Sequence, residues 1–200
     1  PASWPVPARE TDGTLLERAP RLGSGGFTFA GLGGAGTSLS AGFRASAVLR
    51  VGGTTRIGLA GAVVHDERTN HGAAARQVSR GIASRAGVLF GWGAPWNDGI
   101  VGFSTELGAI WGVHRGSSTP RATNANEDFC WSTCYDETRI APARWSFASP
   151  YVAPQIVLQV PFKGVPVRPI ASLGLLWAPL GPGDSIIAVT GETGIAWQAW

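Results

Sequence analysis

Arg44, Arg50, Arg56, Arg85 and Arg168, with Glu106 and Glu192, fall on the small-residue face of segments that otherwise alternate in polarity. The rest of that face is mostly Gly, Ala and Ser. Charges that share a crowded, water-poor face must be paired. Arg85 and Glu106 are nearly equidistant from the centre of a turn at residues 95–96, so a symmetric hairpin makes them cross-strand neighbours. The expected chemistry is an internal salt-bridged plug, with a polar conduction path as the alternative.

Other reactive residues carry less. "HDERTNH" places His65, Asp66, Glu67 and His71 together, but a polar loop has the same look, and no metal site is assigned. No cofactor is expected, because neither a phosphate loop nor a dinucleotide fingerprint occurs. Cys130 and Cys134, in "FCWSTCYD", are expected to form a local disulfide, which implies an oxidising compartment. A net charge of +3 with dispersed arginines gives no basis for nucleic-acid binding.

The elements that position these groups are strands. Only 14% of residues are charged, below the usual quarter for a soluble domain, and 29 of 200 are glycine. No apolar run reaches the length of a membrane-spanning helix. Residues 1–24 lack a period and read as an N-terminal periplasmic tail. "PASWPVPARE" resembles a mature terminus left after signal-peptide removal. From residue 25 to 200 the pattern has period two, in eight segments near 26–36, 41–51, 55–65, 76–92, 99–114, 145–162, 167–178 and 186–198. Most exceed a typical globular strand and match what a tilted strand needs to cross a bilayer. "GGT", "GAPWND" and "KGVP" are short connections. "HDERTNHGAAA", the stretch around the cysteines and "PLGPGDS" are longer, while "AGTSLS" is short.

The faces of these segments differ sharply. In "VGFSTELGAIWGVH", Val101, Phe103, Leu107, Trp111 and Val113 share one face, and Gly102, Ser104, Glu106 and Gly108 share the other. A bulky face toward lipid and a small, sparsely charged face toward a narrow lumen account for both. Two aromatic girdles are expected: Phe27, Trp92, Trp96, Phe162 and Trp197 at the short-turn end, and Trp111, Trp145, Phe147 and Trp177 at the other.

On strand count, loop alternation, girdles and an aromatic C-terminus, residues 25–200 resemble the small eight-stranded outer-membrane barrels of Gram-negative bacteria. Two features depart from that pattern. Trp200 is off the lipid-facing parity set by Ile187, Val189, Ile195 and Trp197, so either a bulge repairs it or Trp197 carries the terminal signal. Pro154 and Pro161 interrupt the sixth segment, where Pro154 is expected to need a bulge.

Some barrels that this chain resembles modify lipid A with a His, a Ser and a carboxylate. The corresponding candidates are His114 with Ser117 and Glu106, or His65 with Asp66. The deacylases carry His-x-Ser, whereas this chain has His-x-x-Ser in "HRGS". Glu106 also lies more than about 20 Å from His114 along the strand.

The reading is an all-β, eight-stranded antiparallel up-and-down transmembrane barrel with a short N-terminal tail, in a bacterial outer membrane. Its expected role is to anchor and present extracellular loops, chiefly residues 115–144. Its expected partners are outer-membrane lipid, lipopolysaccharide and other envelope proteins in a larger assembly. A lipid A-modifying enzyme and a soluble secreted β-barrel binding protein are the alternatives.

Overall fold

The computed structural model describes residues 25–51, 54–71, 75–96, 99–120, 140–160, 167–181 and 184–198. The tail at 1–24, the cysteine loop and Phe162 lie outside them. Eight strands follow in order: β1 (Gly25–Gly36), β2 (Ser38–Arg50), β3 (Thr55–His71), β4 (Ala75–Trp96), β5 (Gly99–Pro120), β6 (Ala141–Gln159), β7 (Val167–Gly181) and β8 (Asp184–Gln198). Each pairs antiparallel with its sequence neighbour, and β8 closes on β1.

The stagger of the barrel can be followed along one ladder. Phe27 pairs with Ala47, then Leu59, Val88, Leu107, Val152, Trp177 and Ile187. The Ile187 carbonyl accepts the Thr37 N–H at 2.8 Å, so the circuit returns to the chain ten residues beyond Phe27. That shear tilts the strands and fixes a barrel too narrow for an open channel.

The alternation then sorts the side chains. Phe29, Phe43, Leu59, Ile82, Phe103, Leu107, Leu173 and Val189 are exposed on the outer wall. A water-soluble protein does not show an apolar surface that wraps the whole molecule. This exterior therefore excludes a soluble barrel.

Three expectations change. The β4–β5 ladder runs to Trp96↔Gly99, so the turn is centred past residue 96. Glu106 accordingly pairs with Leu89, and Arg85 with Ile110. "HDERTNH" is not a loop but the end of β3, paired with β4 as far as His71↔Arg76. Backbone pairing satisfies those polar residues' main chain, so they extend a strand instead of leaving it. Finally, Pro154 needs no bulge. The β5–β6 register runs unbroken through Thr105↔Pro154. The missing donor instead faces β7, where pairing lapses between Val152↔Trp177 and Gln155↔Gly174. The register shift in this region falls in the β7–β8 ladder, between Pro179 and Gly181.

Candidate functional site

Mid-barrel, β2, β4, β5 and β8 each turn one charge inward. Arg44 donates from Nε and Nη2 to Glu106 Oε2, at 3.0 and 2.9 Å, and from Nη1 to Glu192 Oε2 at 3.1 Å. Arg85 reaches Glu192 Oε1 with Nη2 at 3.5 Å and lies 4.0 Å from Glu106 Oε1. The Tyr151 hydroxyl donates to Glu106 Oε1, and the Arg85 guanidinium lies 5.7 Å from the centre of the Tyr151 ring. All four charged side chains are at most 6% exposed. Two cations and two anions cancel, as burial demands. Arg85 and Glu106 thus meet diagonally, through side-chain reach across a narrow lumen, and Arg44 is the closer partner.

One side of the lumen is apolar, with Ile110, Tyr151, Ala153, Leu176, Ala178 and Ile186 in one cluster. Toward the end where β1 starts and β8 finishes, Arg50 faces Arg56 directly across β2–β3, and Arg168 lies on β7. Arg50 and Arg168 are each engaged in polar or electrostatic contacts.

A second polar cluster sits higher, toward the connections at the other end. One ladder row runs Ser40, Asp66, Gly81, His114, Trp145 across β2 to β6. Gly81 has no side chain, so His114 and Asp66 meet over it: Nε2 lies 3.3 Å from Asp66 Oδ2. Neither of those two atoms makes an aligned hydrogen bond, so the contact is electrostatic. On the other side of the ring, Nδ1 is 3.0 Å from Ser79 Oγ. The hydroxyl donates in that contact when the imidazole proton is on Nε2, and the ring donates when the proton is on Nδ1. His114 is fully buried, Ser79 is 1% exposed and Asp66 3%. Phe147 meets His114 edge-on at 5.4 Å, Trp145 lies at 6.2 Å, and Arg68 stacks over Phe147 at 5.4 Å.

This arrangement corrects the girdle at the upper end. Trp145 and Phe147 share the inward parity of Ser149, Tyr151 and Ala153 on β6, so they line the lumen. Prolines at 142, 150 and 154 break up the visible alternation of β6, and its phase is set only by its neighbours. Trp111 and Trp177 do face out at that end, and Phe27, Trp92 and Trp197 face out at the other. Phe27 and Trp197 stack with centroids 6.2 Å apart.

The candidate partners of His114 also rearrange. Ser117 and Glu106 do not join His114, and His65 is exposed on the outer wall. Ser79 and Asp66 take their places. Ser79 lies 35 residues from His114, at a position that no local motif marks. Only the β4–β5 register could have found it. A Cβ at Gly81 would overlap the Val113 carbonyl and the His114 ring. Gly81→Ala is therefore expected to displace that ring and cost about 1–3 kcal/mol by overpacking. Urea unfolding in lipid vesicles, with the histidine ring NMR signals, checks both effects. An unmoved ring would mean that the row is assembled differently.

A closed antiparallel barrel with an even strand number, an apolar band and aromatic belts has the build of a bacterial outer-membrane protein. No family model matches the chain, and no curated protein matches it. Solved structures of this kind do. The N-terminal β-barrel domain of Pseudomonas aeruginosa OprF aligns with 11% identity and a TM-score of 0.44, over 88% of this chain and 99% of that one. Ail, the attachment invasion locus protein of Yersinia pestis, aligns with 16% identity and a TM-score of 0.43, over 90% and 100%. Ail in complex with the heparin analogue sucrose octasulfate aligns with 15% identity and a TM-score of 0.41, over 88% and 97%. At these values nothing of what those proteins bind transfers. The membrane reading rests on the closed ladder and its exterior.

Proposed function

We propose that the chain is an outer-membrane anchor that holds a four-stranded wall and the 121–139 loop outside the cell, for contact with other envelope or extracellular proteins. The observation that carries this reading is the unequal height of the strands. β4 and β5 have 22 residues each, against 12 in β1 and 13 in β2. A 22-residue strand is about 70 Å long. Tilted by about 45°, it still rises far past an apolar band of about 25 Å. β3 continues beyond its last β2 pair, Ser38↔Arg68, and β6 has no β7 ladder partner before Val152 among the described residues. The excess lies at the end away from the start of β1 and the end of β8, which is the extracellular end in this orientation.

Residues 141–148, ahead of the point where Ser149 meets the Pro179 carbonyl of β7, therefore offer a strand edge to an extended segment of a partner. Pro142 and Pro150 bracket that edge, and proline at an edge limits indiscriminate pairing. A Cys130–Cys134 bridge belongs to the same proposal and suits an extracellular setting.

A photo-crosslinking residue at Ala141, exposed at the top of the wall opposite Ser118, tests this on intact cells, with an epitope tag placed after Asn124. The tag is expected to be accessible without permeabilisation, and Ala141 is expected to capture protein. The same crosslinker at Leu175, on the lipid face, is expected to capture only lipid. A tag that is silent on intact cells, or adducts identical at the two positions, would overturn the reading.

The Ser79–His114–Asp66 geometry favours a second reading, a serine acyl-hydrolase acting on lipid. The hydroxyl lies within hydrogen-bond reach of the base, and a carboxylate lies 3.3 Å from the ring's other nitrogen without an aligned bond; these are the residue types of a nucleophilic triad. Their burial leaves no path for a substrate, so the anchor reading stands first. Stoichiometric labelling of Ser79 by a fluorophosphonate, lost in Ser79→Ala, would reverse that order.

A further inference from the structure

The outer face of the raised wall carries an arrangement that the ladder makes unfavourable on its own. Glu67, Arg80, Arg115 and Arg144 stand in one row across β3, β4, β5 and β6, each the direct partner of the next. All four point away from the lumen, opposite in parity to Asp66, Gly81, His114 and Trp145. Arg80 pairs with Glu67 through Nε at 3.0 Å, and its side chain remains 69% exposed. Arg115 and Arg144 are exposed and have no ion-pair partner among the described residues. Like charges directly opposite each other across a ladder repel. The row therefore holds three guanidinium groups side by side with one carboxylate to balance them.

Its height gives the reason. The next outward residues toward the membrane on β4 and β5 are Ile82 and Val113, 61% and 49% exposed, followed on β5 by Trp111. Trp111 marks the apolar band's edge, where aromatic rings sit at the headgroup level. The arginine row lies just above that edge, in line with lipid headgroups and above their acyl chains. Guanidinium groups bind phosphate oxygens in bidentate fashion, and arginine does this better than lysine.

We propose that Arg80, Arg115 and Arg144 form a binding site for the phosphate groups of lipopolysaccharide in the outer leaflet. This rests on the membrane orientation given above. The two phosphates of a lipid A headgroup match a row of adjacent cations better than isolated phosphodiesters do. The apolar surface from Trp111 downward accepts the acyl chains of the same molecule. The ligand thereby relieves the repulsion that the bare row carries, and the row ties the foot of the wall to the leaflet from which the wall emerges.

The test uses the full chain folded into phosphatidylcholine vesicles doped with fluorescent bis-phosphorylated lipid A, with retention on the purified protein as the readout. Arg115→Gln/Arg144→Gln is expected to lower retention about tenfold. Lipid A stripped of both phosphates should be held no better by the wild type than by the variant. Retention unchanged in the variant, or independent of the phosphates, overturns the site. Equal competition by phosphatidylglycerol also overturns it, since that would show a generic response to anionic lipid. Heat-dependent gel migration, run in parallel, reports whether each protein is a folded barrel. A folded wild type that ignores lipid A sinks the site and leaves the anchor standing. A chain that inserts into no vesicle sinks the anchor itself.

Discussion

Glu106→Gln is expected to lower the unfolding free energy in lipid vesicles by about 3–5 kcal/mol, because it leaves buried cations without their counter-charge. Glu106 takes two donors from Arg44 and one from Tyr151 and faces Arg85, at 1% exposure. Its loss leaves Arg44 and Arg85 with Glu192 alone. Removing a cation as well should recover much of the cost, since neighbouring groups in one network are not additive. Arg44→Met should recover more than Arg85→Met, because Arg44 is the 2.9 Å partner and Arg85 stands at 4.0 Å. Urea titrations of the singles and doubles measure this directly. Additivity in both cycles would mean that the four charges do not share one network.

The second large effect lies on the opposite side of the same strand. Leu107 neighbours Glu106, yet it is 46% exposed on the outer wall. It stands between Phe103 toward one aromatic belt and Trp111 in the other, near mid-height of the band. Leu107→Arg should therefore destabilise the folded barrel in bilayers by about 2–4 kcal/mol, the cost of a cation at the lipid midplane. The same change at Val113, nearer the boundary, should cost about 0–1 kcal/mol. Comparing both variants in thin and thick bilayers separates depth from packing. Equal costs at the two positions would mean that the wall does not face hydrocarbon.

Period-two alternation was enough to determine which residues face out in β2, β4, β5, β7 and β8. The alternation is written residue by residue and is enforced by the difference between lipid and a crowded lumen, a one-body property of each side chain. The same pattern determined that Arg44, Arg85, Glu106 and Glu192 face inward and have to find partners there. Which of them touch, the sequence left open. That depends on the shear of the closed barrel, which is a property of all eight ladders together and of no single hairpin. A shift of two residues in one turn centre moves Arg85 from opposite Glu106 to opposite Ile110. In β6, three prolines hid the phase, and only the ladders on either side could show that Trp145 and Phe147 turn inward. The meeting of Ser79, His114 and Asp66 over Gly81, and the alignment of Arg80, Arg115 and Arg144 outside, are likewise register effects. Each strand's sequence states what its residues are, and only closure of the sheet decides what stands beside them.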